Sequence, residues 1–163
     1  MKVFSITGSI LLMAAAAAPA GKGTASGTFR YNDQTHTVAH AVAWGEEPMT
    51  LSDGTVLRFV TAALSSKPFD RAAMARDGAY DDMDLRNHPA ASFTVVFNAK
   101  DGAFDRIRMF DQSGHGADFR CEGPGLLTLT RNDKASVAGK FKCQEHDLTF
   151  DAPILEAPRK AAP

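Results

Sequence analysis

The chain reads as a mostly β fold, a single antiparallel β-barrel or β-sandwich with one short helix at about residues 69–76, and three observations predict it. Apolar and polar residues alternate with period two from Thr28 onward, the signature of half-buried strands. Turn-forming groups such as Ser52-Asp53-Gly54 and Lys100-Asp101-Gly102 break that alternation repeatedly. Good helix formers cluster in one place, Pro68–Arg76, behind a proline suited to a first turn and ahead of Gly78 as a stop.

Taken in order, residues 1–20 read as a cleavable signal peptide. Met1-Lys2 precedes an apolar run from Val3 to Ala18 that ends in the small-x-small Ala18-Pro19-Ala20. Residues 21–27, small and polar, read as a flexible N-terminal lead. The β domain then spans residues 28–155, and residues 156–163 read as a flexible C-terminal tail. In Thr35–Trp44 the even positions His36, Val38, His40, Val42 and Trp44 are the larger, so that face is expected to point inward. In Thr55–Ala63, Leu57 and Phe59 lie on one face; Arg58 shares the other with Val56 and Val60 and marks it as the wetter. Phe93, Val95 and Phe97, across the turn from Ile107 and Met109, predict a hairpin, and the alternation in Leu127–Thr130, Val137–Phe141 and Leu148–Phe150 predicts a meander. The short helix has no stability of its own and is expected to pack Phe69, Ala73 and Met74 on the sheet.

Composition sets bounds on function. Loss of Lys2 with the leader takes the net charge from −1 to −2, acidic and basic residues are interspersed, and no basic stripe invites nucleic acid. No transmembrane segment is expected in the mature form. Cys121 and Cys143, an even pair in an exported chain, are expected to form one disulfide. With Arg131–Lys134 taken as the turn of a two-residue hairpin, they would lie almost opposite each other, Gly123-Pro124-Gly125 absorbing a one-residue offset.

Motifs for chemistry are sparse. Gly21–Thr24 lacks the preceding strand a phosphate loop needs. His36 and His40 sit four apart, which on a strand separates them by about 13 Å, too far to share a metal ion. Asp77, Asp81, Asp82 and Asp84 put oxygens together, but Arg86 and Asn87 fall where a calcium loop wants a ligand and a glycine. No nucleophile elbow or zinc-protease motif occurs, and Ser113-Gly114-His115-Gly116 reads as a mobile polar tip. No catalytic residue, metal or cofactor is therefore assigned.

Gly27-Thr28-Phe29, His40–Trp44, Leu64–Pro68 and Phe150–Pro153 together resemble a loosely defined group of exported, uncharacterised β-rich bacterial proteins. Tyr31–His36 and His88–Phe93, each leading into an alternating strand, are similar to the YceI-like family of periplasmic lipocalin-type barrels. That resemblance implies a periplasmic barrel; the family's later glycine–threonine turn is missing here, so an isoprenoid-type ligand is not carried over. Three functions are weighed: an exported, periplasmic or secreted, non-enzymatic binding or interaction module with an unknown protein partner; a lipocalin-like carrier of a small apolar ligand; and a hydrolase with a dispersed site. The residues set to face a ligand are His36, His40, Trp44, Phe59, Phe93, Phe97 and Met109.

Overall fold

A computed structural model describes residues 22–76 and 79–156. The leader, and the C-terminal tail beyond Glu156, lie outside the described residues. The fold is mostly β, a ten-stranded antiparallel sheet curled into a half-barrel, with two further two-stranded pairs among the described residues. The elements are β1 (Gly23–Tyr31), β2 (Gln34–Thr37), β3 (His40–Gly45), β4 (Met49–Thr50), β5 (Val56–Leu57) and β6 (Phe59–Ser65), then a one-turn helix α1 (Arg71–Met74). There follow β7 (Ala75–Arg76), β8 (Ala79–Tyr80), a 3₁₀ segment (Asp82–Asn87), β9 (Ser92–Asn98), β10 (Phe104–Phe110), β11 (Gly116–Phe119), β12 (Leu127–Asn132), β13 (Ser136–Cys143) and β14 (His146–Pro153). The main sheet runs β11-β10-β9-β6-β3-β1-β14-β13-β12, with β2 beside β1. Among the described residues no helix is long and apolar enough to cross a membrane.

The concave side of the sheet holds the core: Phe29, Leu64, Phe93, Val95, Phe97, Ile107, Val137, Phe141 and Leu148 are each 0 % exposed, and Met109 is 1 % exposed. Side chains that no water-sized probe can reach border no cavity large enough for water, so the centre of the half-barrel is packed solid. A smaller cluster on the convex side joins Val42, Trp44, Ala63 and Phe110 to Met74 and Leu85 of the excursion between β6 and β9. The predicted helix is thus shorter than expected, and Met74 and Phe69 pack on the sheet from its convex side.

Two face assignments change. β1 pairs with β2 and with β3 in registers that differ by one residue, because three residues of β1, Ala25–Gly27, lie opposite Val38-Ala39 alone. This bulge reverses the alternation between the two strands, so Val38 points in while Val42 and Trp44 point to the convex cluster, leaving Ala41 and Ala43 inside. Arg58 separates β5 from β6, so Val60 faces the core and Phe59, half-buried, faces away from it.

The stretch read as a flexible lead is also strand. Thr24–Thr28 pair with Asp147–Asp151 in unbroken register. A Cβ on Gly23 would sit 2.0 Å from the Ala41 oxygen, and one on Gly27, at φ +108°, 2.0 Å from the Asp147 oxygen. These glycines admit close backbone approach, not mobility.

Cys121 and Cys143 form a disulfide, their Cα atoms 6.2 Å apart. It is not a cross-strand bond within a hairpin. The β12–β13 partners are Leu127↔Phe141 and Asn132↔Val137, so four residues, 133–136, lie between the paired strands instead of the expected two, with a bulge between Leu129 and Arg131. Cys121 lies beyond β11, so the bond joins one edge of the sheet to the strand next to the other edge. At the opposite end of this seam Asn132 Nδ2 donates to Ala99 O at 3.1 Å.

Candidate functional site

Three hairpin connections meet at one end of the half-barrel. Asn32-Asp33 joins β1 to β2 between the paired Tyr31 and Gln34, Gln144-Glu145 joins β13 to β14 between Cys143 and His146, and residues 111–115 join β10 to β11. Asn32 (φ 50°), Asp33 (φ 59°) and Gln144 (φ 49°) are the non-glycine residues with positive φ among the described residues. A left-handed Asn is common in tight hairpins, but glycine is the relaxed choice at the other two corners, so Asp and Gln there cost of order 1 kcal/mol each.

All three residues line a hollow of about 360 Å³ together with Arg30, Tyr31, Met109, Phe119, Glu145 and His146. Its rim is ion-paired: Arg30 Nη1 donates to both Glu145 oxygens at 3.3 and 3.2 Å, and Arg30 Nη2 to Asp33 Oδ1 at 3.3 Å. These groups are exposed, so the pairs add only tenths of a kcal/mol, but they join two turns. Asn32 Nδ2 donates to Asp111 Oδ2 at 3.1 Å, and Tyr31 OH to His115 O at 3.3 Å, which draws in the third connection. Burial and then the Asp111 charge raise the Tyr31 pKa, which keeps it a donor. The wall carries Met109 and Phe119, Phe119 lying edge-on to Tyr31 at 5.7 Å. His146, 7 % exposed, accepts from the Arg30 backbone N–H at Nδ1 (3.3 Å), so its neutral form carries the proton on Nε2.

Of the residues expected to face a ligand, Met109 alone reaches this hollow. Phe93 and Phe97 are core, His36 stacks on Phe29 with ring centroids 5.1 Å apart, and His40 stands beside Ser65 in the ladder. Sequence reasoning missed Arg30, Gln144 and His146; the legible signal was a pair of two-residue turns lacking glycine. Among the described residues no group of three His, Cys, Asp or Glu could hold a metal ion. A second hollow, about 460 Å³, lies between Arg106 and Glu122; its Arg106 is tied to Asp105 at 2.6 Å and to Glu46 at 3.1 Å.

A serine and a histidine do meet under the excursion: His88 Nε2 lies 2.8 Å from Ser65 Oγ. Ser65 is fully buried, donates to Ala91 O at 3.1 Å and accepts from Lys67 N–H at 3.3 Å. With its proton so directed, the serine oxygen accepts from His88, the reverse of a nucleophile handing its proton to a base. Beside Ser65 in the ladder, Ser92 is 0 % exposed and its hydroxyl has no hydrogen-bond partner among the described residues. Ser92→Ala is therefore expected to raise the unfolding free energy by about 1 kcal/mol, read as a higher urea midpoint at unchanged slope; a loss of stability would show that the hydroxyl has a partner.

His88 and His146 both titrate below the ordinary value of 6.5. Burial is the largest cause in each; nearby Lys67 and His40 add to it at His88, while Glu145 opposes it at His146. Below pH 6.5 the unfolded chain takes protons that the native state refuses, so stability falls from about pH 6.5 downward and is flat above about pH 7.5. Urea midpoints between pH 7.5 and 5 check this, and replacing both histidines with Gln flattens the slope. Lowered carboxylates such as Asp118 and Asp133 act in a separate window, from about pH 4 downward.

Comparison with protein-family models, with curated proteins and with solved structures finds no match to this chain.

Proposed function

We propose that this chain is an exported, non-enzymatic binding module whose working surface is the end where the three hairpin connections meet. The observation that carries the reading is the gathering of Asn32, Asp33 and Gln144, each in the left-handed region, on the lining of one hollow. Backbone strain held where glycine would relieve it marks a position where the side chain is needed. The solid interior weighs against a carrier of an apolar ligand, and the direction of the Ser65–His88 hydrogen bond weighs against hydrolysis there. The disulfide, in a chain with an export-type leader, supports an oxidising compartment, periplasmic or secreted.

Asp33→Gly puts the favoured Asn-Gly pair at the β1–β2 turn, and Gln144→Gly relaxes the β13–β14 turn. Each is expected to raise stability by about 0.5–1 kcal/mol while weakening binding. An NMR screen of small neutral, acidic and basic fragments against the isotope-labelled oxidised chain reads the binding. Shifts confined to residues 30–33, 111–116 and 144–146 support the reading. Shifts centred on Phe93, Phe97 and Phe141 would favour a carrier, turnover of an activated ester would favour an enzyme, and either result defeats it.

A further inference from the structure

We propose that the excursion between β6 and β9 is a strap that mild acid releases from the convex face of the sheet, with the His88 ring as its fastening. The inference concerns the back of the sheet and stands whatever the turn end binds. Two legs of the strap, residues 66–74 and 80–91, meet at His88. Its ring, on the second leg, stacks on Phe69 of the first with centroids 4.7 Å apart, and its Nε2 lies 2.8 Å from the Ser65 hydroxyl, where the first leg begins. Lys67 Nζ also reaches across, donating to Pro89 O at 3.3 Å. Trp44, the only tryptophan of the chain and 1 % exposed, packs with Met74, Tyr80 and Leu85 of the strap.

The surroundings of the ring suit its neutral form. Ser65 directs its own proton to Ala91 O, so His88 donates from Nε2, and a second proton would go to Nδ1. The cation so formed would be 7 % exposed and would face Lys67 of the first leg and His40 of β3, both basic. From β6 it meets the uncharged Ser65 hydroxyl. Of the strap's carboxylates, Asp70 accepts from the Ala72 N–H at 3.0 Å and Asp81 is exposed; among the described residues no salt bridge reaches His88. An unpaired buried charge is costly, and opening the strap returns the ring to water, where it takes the proton freely. The closed strap thus binds that proton less well than the open one, so closure is fully supported above about pH 7.5 and weakens as the pH falls through 6.5. Release also reaches the turn end. Gly114, between β10 and β11, lies so near the strap that a Cβ there would sit 2.5 Å from Arg86 O, two residues from the fastening.

The test is hydrogen exchange of the oxidised chain, followed by NMR between pH 7.5 and 5 and corrected for the intrinsic pH dependence of exchange. Protection of the His88 and Gly114 amides and of the Trp44 indole N–H is expected to fall by up to about tenfold per pH unit below 6.5, the slope for one proton taken up on opening. Low urea leaves these rates nearly unchanged, because little surface is exposed, whereas β13 and β14 are better protected and exchange by a route that urea accelerates. His88→Gln keeps a donor for Ser65 but has no proton to gain, and it removes the pH dependence. Lys67→Glu, at an exposed side chain, gives the protonated ring a carboxylate and holds the strap closed in acid, which decides the matter even where His88→Gln fails to fold. Protection at the three sites that does not change with pH overturns the proposal. So does a dependence that survives either variant, or one that matches β13 and β14 in both protection and urea response, which is unfolding of the whole domain.

Discussion

Replacing both cysteines, Cys121→Ser with Cys143→Ser, is expected to lower the unfolding free energy by about 3 kcal/mol. The bond closes a loop with a sequence separation of 22, which sets that figure in the chain-entropy account. Its position adds a spatial expectation. A staple inside a hairpin would leave the sheet's edges untouched when cut, whereas this one ties the strand beside one edge to the chain that leaves the other. Amide exchange in the cysteine-free protein should therefore accelerate first in β11 and β12, while β13, β14 and β1 stay protected. Urea titrations with and without a reductant measure the loss. A change below about 1 kcal/mol, or acceleration spread evenly over the sheet, contradicts the seam assignment.

Phe93→Ala should cost more, about 3–5 kcal/mol, a large share of the total stability of an ordinary domain. Phe93 is fully buried, with ring centroids 5.4 Å from Phe29, 5.5 Å from Phe141 and 5.4 Å from His146. Truncation leaves a hole at the midpoint of the concave core that β9, hydrogen-bonded on both sides, cannot collapse to fill. Phe59→Ala is the control. Its ring is half-buried and outside both clusters, so its loss should cost no more than about 1 kcal/mol. Equal costs for the two, measured by urea unfolding, would mean that the sheet's faces are assigned wrongly.

Strand identity was legible because period-two alternation is a local property: β9, β10, β13 and β14 fall where Phe93–Phe97, Ile107–Met109, Val137–Phe141 and Leu148–Phe150 alternate. The facing of Trp44 was not. It depends on a one-residue mismatch between β1 and the β2–β3 stretch, which is a relation between segments and leaves no trace in either alone. Gly23 and Gly27 show the ambiguity of glycine, which serves a loose lead and a crowded strand equally well until the neighbouring backbone is known. Pairing of the cysteines could be read from their number and context; the partner strands could not, because Gly123-Pro124-Gly125 lies in a crossing between edges and not within a strand. The hollow was nearly invisible. Arg30, Gln144 and His146 come from opposite ends of the chain, and each by itself looks like an ordinary polar residue at a strand end.

The first strand of the domain lies in the interior of the sheet, flanked by β3 on one side and β14 on the other. The pair Thr24↔Asp151 therefore joins residues from the two extremes of the folded region. Loops of that span close slowly, because the entropy of closure must be met before any contact rewards it. A ribosome that has released only β1 through β13 has released a sheet with a missing rung between β1 and β13. The β12–β13 hairpin thus joins the rest of the half-barrel only once the final strand is free.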